Sequence, residues 1–133
     1  MPKSHTLIAL AFTTLLHAQA PALVSPEVHP DRRVTFRVQA PKAADVGFYG
    51  DWMPVGTMQK MTKDAVGIWS LTTAPLEPSI YIYSFTIDGL TIADPTNPRM
   101  KLRARTSASL LEVPAATPSL WDARDVPDRK SVV

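Results

Sequence analysis

Hydrophobic residues fall at every second position through the middle of the chain. In residues 80–95, I-Y-I-Y-S-F-T-I-D-G-L-T-I-A-D-P, the side chains of Tyr81, Tyr83, Phe85 and Ile87 share one face of a pleated strand. β-branched and aromatic residues fill the run, as a half-buried sheet prefers. Asp88-Gly89 suits the two φ > 0 positions of a type I′ hairpin, so residues 90–92 are predicted to return as the partner strand. Asp94-Pro95 ends that strand, because proline has no N–H to give to a ladder.

The same alternation recurs on both sides of the hairpin. Over residues 33–40, Val34, Phe36 and Val38 point inward while Arg33, Thr35, Arg37 and Gln39 face water. Residues 41–44 form a turn, and residues 45–52 the next strand, with Val46 and Phe48 inward and Gly50 marking a bulge or a close backbone approach. Residues 53–60 read as loop, with a short strand around Met61. Residues 66–73 carry Ile68, Trp69 and Leu71, and Pro75 and Pro78 turn the chain into the hairpin. Residues 96–105 read as a basic loop. Residues 107–113 close the sheet, with Leu111 and Val113 inward. About seven short strands with no 3.6-residue period predict an all-β fold, an antiparallel immunoglobulin-like β-sandwich.

The two ends depart from this pattern. Residues 1–22 combine a short polar start at Lys3 and His5, an apolar run over residues 6–16, and small residues at Ala18, Ala20 and Ala22. That layout predicts a secretory signal peptide, cleaved after Ala22 or Ala20, and hence a secreted or periplasmic address. The run is shorter than the ~20 residues needed to span a bilayer. Residues 23–113 form the sandwich. Residues 114–127, P-A-A-T-P-S-L-W-D-A-R-D-V-P, read as a proline-rich linker in which Leu120 and Trp121 need something to pack against. The last six residues, D-R-K-S-V-V, match one reading frame of a sequencing adapter, GATCGGAAGAGCGTCGTG. They are therefore expected to be an artefact on a front end whose natural frame runs past Pro127.

Charge and composition exclude several functions. Beyond the leader, 13 Lys+Arg face 12 Asp+Glu, a net charge of +1, and no basic stripe points to nucleic acid or to an anionic membrane. Cysteine is absent, so no thiol nucleophile, thiolate metal site or disulfide exists. No G-x-S-x-G, H-E-x-x-H or Gly-rich phosphate loop occurs. His29 is the only histidine after the leader and is expected at the surface. The turn aspartates Asp45, Asp51, Asp64, Asp88 and Asp94 suit backbone capping. No catalytic residue, metal ligand or cofactor is therefore predicted in this chain.

Taken together, G-D-W at residues 50–52, G-I-W-S at 67–70, Y-x-Y-x-F-x-x-D-G at 81–89 and D-P-x-N-P at 94–98 resemble the family-48 carbohydrate-binding module, an early-set immunoglobulin-like sandwich. The opening S-P-E-V-H-P-D-R-R-V-T-F-R and the closing S-L-W-D-A-R-D-V-P resemble the N-terminal module of bacterial secreted esterases of the feruloyl/enterochelin type, carbohydrate esterase family 1. The resemblance spans residues 25–127. It implies an α/β-hydrolase domain as C-terminal partner, a serine esterase as parent, and plant polysaccharide as a weak binding partner.

In the family, two tryptophans and a lysine form the sugar platform; this chain has Trp52, Thr91 and Ser84 at those places. The resemblance therefore implies weak or no binding of starch and glycogen, and at most modest binding of xylan-type chains. Flat aromatic faces recognise sugars only when exposed, so Trp52 is either a platform residue or a lid folded back on the core edge. Trp69 and the Tyr81–Tyr83–Phe85 stripe read as core, and Leu120 and Trp121 as an interdomain contact. Two functions are compatible with these residues: a carbohydrate-binding-like module that holds a secreted esterase on plant polysaccharide, or a structural module that packs on the esterase domain without glycan affinity of its own.

Overall fold

The computed structural model describes residues 22–102 and 106–117. These residues form ten strands: β1 (Glu27–Val28), β2 (Val34–Gln39), β3 (Val46–Gly50), β4 (Gln59–Lys60), β5 (Thr62–Lys63), β6 (Ile68–Thr72), β7 (Ser79–Ile87), β8 (Leu90–Ile92), β9 (Met100–Leu102) and β10 (Ser107–Val113). All pairings are antiparallel. One sheet has the order β1-β2-β6-β5; the other runs β4-β3-β7-β10-β9, with β8 on β7. Two antiparallel sheets enclosing one core make the expected β-sandwich.

The two-residue period assigns the core. Val34, Phe36 and Val38 of β2, Val46 and Phe48 of β3, Tyr83 and Phe85 of β7, and Leu111 and Val113 of β10 are all buried. Trp69 joins them, its indole N–H donating to the Ala40 carbonyl at 3.0 Å and the Lys63 ammonium lying 5.4 Å from its ring centroid. Phe36, Phe48 and Tyr83 form the aromatic centre, with ring centroids 4.4 to 5.9 Å apart. Tilted and offset aromatic pairs of this kind add about 0.5–1.5 kcal/mol each beyond area burial. The β7–β8 turn obeys the sequence: Asp88 and Gly89 have φ of 46° and 88°, the left-handed pair of a type I′ turn. Asp88 also caps the neighbouring turn, its Oδ1 accepting from the amides of Ala44 and Asp45.

Four local expectations change. The segment expected as loop over residues 96–105 contains β9, an edge strand whose register with β10 (Ala108 opposite Lys101) leaves Met100 and Leu102 at 49% and 78% exposure. The short strand around Met61 is a sheet switch. β4 pairs with β3, β5 pairs with β6, and Met61, 3% exposed, plugs the core between them. Thr35, expected to face water, is only 7% exposed. Its hydroxyl lies 2.8 Å from His29 Nε2 and 2.9 Å from the Thr72 hydroxyl, because the leading segment and β6 close over that face of β2. His29 is half-buried by the same contact.

A buried polar cluster ties the ends of the fold together and explains D-P-x-N-P. Asp94, 1% exposed, accepts from the Ser25 hydroxyl (2.6 Å), the Tyr83 phenol (2.8 Å), and the Thr96 amide and hydroxyl (2.9 and 2.8 Å). Its own backbone amide donates to the Ser109 hydroxyl, and the Asn97 side-chain Nδ2 donates to the Tyr83 phenol oxygen and to the Leu110 carbonyl. Burial pushes the Tyr83 phenol well above its ordinary pKa, and the adjacent carboxylate adds to the shift. Among the described residues no buried polar side-chain atom lacks a partner, so this cluster has the satisfied form that a core tolerates.

Candidate functional site

Alternation along β7 sends Ser84 and Thr86 to the outer face of the six-stranded sheet, opposite the core, where neighbouring residues cover Ser84 to 9% exposure and leave Thr86 half-buried. The register sets Ser84 against Tyr49 of β3 and Thr86 against Thr91 of β8. These four side chains, with Val55 and Met58 of the β3–β4 loop, line an open groove of about 400 Å³. Gly47 makes the groove compact: a Cβ there would collide with the Met58 side chain, so only glycine lets the methionine lie on the sheet. These walls are neutral hydroxyls and apolar surface, which can hydrogen-bond a neutral polar ligand. Among the described residues they contain no general base to activate a nucleophile.

Trp52 lies elsewhere. It is the second residue after β3, inside a tight turn that closes with the Met53 amide on the Gly50 carbonyl at 2.9 Å. The half-buried indole folds back over Gly50, where any Cβ would strike the ring. Its centroid lies 5.8 Å from Phe48, 6.2 Å from Phe36 and 5.2 Å from Tyr81, the last in an edge-on pair. These are residues of the core face. The structure therefore brings Ser84 and Thr91 together on the outer groove and leaves Trp52 on the opposite side of the sheet. Leu120 and Trp121 lie outside the described residues.

Sequence reasoning missed Tyr49 and Met58 as groove residues. Tyr49 was legible, since Val46 and Phe48 inward force Tyr49 outward. Met58 was not, because a loop residue carries no periodic signal.

The His29–Thr35 contact is the one place where a histidine meets a hydroxyl among the described residues. The Thr35 hydroxyl is buried and shared with Thr72, so no acyl group can reach it. No group of three or more His, Asp or Glu side chains among the described residues could hold a metal ion. No helix among them is long and apolar enough to cross a membrane.

No family model and no curated protein sequence matches the chain. Solved structures do. The enterobactin esterase of Shigella flexneri in the presence of enterobactin is 22% identical with a TM-score of 0.57, covering 72% of this chain and 34% of that one. The ferric enterobactin esterase of Salmonella typhimurium is 20% identical with a TM-score of 0.56, over 67% of this chain and 33% of its own. The likeness is one of fold, and the chain spans about a third of the length of these esterases.

Proposed function

We propose that this chain is the non-catalytic sandwich module of a larger exported esterase-type hydrolase, which it serves by packing on the catalytic domain and positioning it, without glycan affinity of its own. The observation that carries this reading is the division of the three platform positions. Ser84 and Thr91 lie on the outer groove, while Trp52, the one aromatic among them, packs against Phe36, Phe48 and Tyr81. A pyranose ring needs an exposed flat aromatic face with polar neighbours beside it, and these positions supply the two on opposite sides of the sheet. The fold shared with about a third of each enterobactin esterase supports a modular role.

A carbohydrate-binding role keeps one support of its own: Tyr49 stands in a groove lined with hydroxyls. Affinity electrophoresis against amylopectin and xylan separates the two. Mobility unchanged by either polymer is the expected result. Strong retardation by one of them, lost in Tyr49→Ala, would establish the glycan role instead.

A further inference from the structure

Another apolar groove lies at the end of the sandwich where β10 finishes. Val28 and Pro30 form one wall, Pro114, Ala115 and Ala116 the other, and His29 and Arg32 stand at the rim. The rim is held in place: His29 is bonded to Thr35, Arg32 reaches Glu77 at 3.3 Å, and the Leu76 amide donates to the Arg32 carbonyl at 3.0 Å. The volume is about 540 Å³, within the range of pockets that enclose a drug-sized molecule. Neither the core nor the outer-face groove accounts for it.

We propose that this groove receives Leu120 and Trp121 of the same chain, so that the polypeptide leaves the sandwich pinned to it. Three observations select this occupant. One wall is the chain itself just before Thr117, so the next segment starts at the groove. Trp121 lies four residues beyond Thr117, which at ~3.3–3.6 Å per residue lets it reach back across an opening of this size. The walls are apolar, and Leu120 and Trp121 are the large apolar side chains among the small and polar residues of 117–125. A tether this short gives the pair a high effective concentration at the groove, so modest contact area is enough. Pinning would fix the direction in which a domain beyond residue 127 is presented, which deepens the positioning role proposed above and rests on it.

The absence of cysteine makes the test direct, since any disulfide formed must join introduced residues. In the 133-residue chain, Val28→Cys with Asp122→Cys places one thiol in the groove wall and one beside Trp121. Lys42→Cys with Asp122→Cys is the control, because Lys42 is exposed in a turn at the opposite end. In a glutathione buffer the groove pair should crosslink within one chain at least about tenfold faster than the control. Adding Trp121→Ala, or filling the groove with Ala115→Arg, should slow the groove pair at least about threefold, leaving only the advantage that the short tether itself gives. Equal rates for the two pairs, a groove-pair rate insensitive to both added substitutions, or disulfides that join two chains would each overturn the proposal. Glycan retardation does not depend on this contact, so failure here and failure of the positioning role are separable.

Discussion

The inward and outward faces of the six-stranded sheet are built from alternate residues of the same strands, yet they carry different chemistry. On β7, Tyr83 and Phe85 lie in the aromatic core, while their neighbours Ser84 and Thr86 line a groove of hydroxyls. The inward face is defined by volume: rings pack against rings, and each substitution opens a cavity or forces a clash. On the outward face small residues make room for larger ones: Met58 lies over Gly47 and Tyr49 stands beside Ser84, while the tryptophan nearest in sequence turns to the other side. One strand therefore serves two faces, because its inward residues fill the core while the alternate residues, Ser84 and Thr86, line the groove.

Breaking the inward face should give the largest effect. Phe48 touches Phe36, Trp52, Tyr83 and Phe85, so Phe48→Ala should lower stability by about 3–5 kcal/mol in urea unfolding. A loss below about 1 kcal/mol would mean that this core is loosely packed. Asp94→Asn comes next. An amide cannot accept from Ser25, Tyr83 and Thr96 together, and the stranded donors should cost about 2–3 kcal/mol. Ser25→Ala in the Asp94→Asn background should add less than it does in the native chain, because the two share one cluster.

Trp52 sharpens the comparison. Full truncation of a buried tryptophan costs about 3–5 kcal/mol, and a half-buried one should cost about half of that. Gly50→Ala alone should destabilise by about 1–3 kcal/mol, because its methyl meets the indole. Combined with Trp52→Ala it should cost almost nothing extra. Simple additivity in this cycle would show that the ring does not rest on Gly50. The smallest effect belongs to the outer face: Thr91→Ala should change stability by no more than about 0.5 kcal/mol. A larger change there would show that the groove wall supports the fold.

The alternating positions made the hairpin, its turn and the core residues legible in sequence, because side-chain direction in a strand is a local property of the pleat. Val34, Phe36, Val38, Tyr83, Phe85, Leu111 and Val113 needed no partner to be assigned. Features that depend on which strands meet were not legible. The switch of sheets at Met61 requires β4 and β5 to find different neighbours, and no residue between Gln59 and Lys63 announces it. β9 forms because β10 offers an edge to a basic, proline-flanked segment that shows no strand pattern of its own. Thr35 is buried by residues six and 37 positions away. The direction of Trp52 was equally undecided in G-D-W-M-P. Only the tertiary structure, by leaving a gap above Gly50 beside Phe36, Phe48 and Tyr81, turned the ring inward and left the outer groove to Tyr49, Ser84 and Thr91.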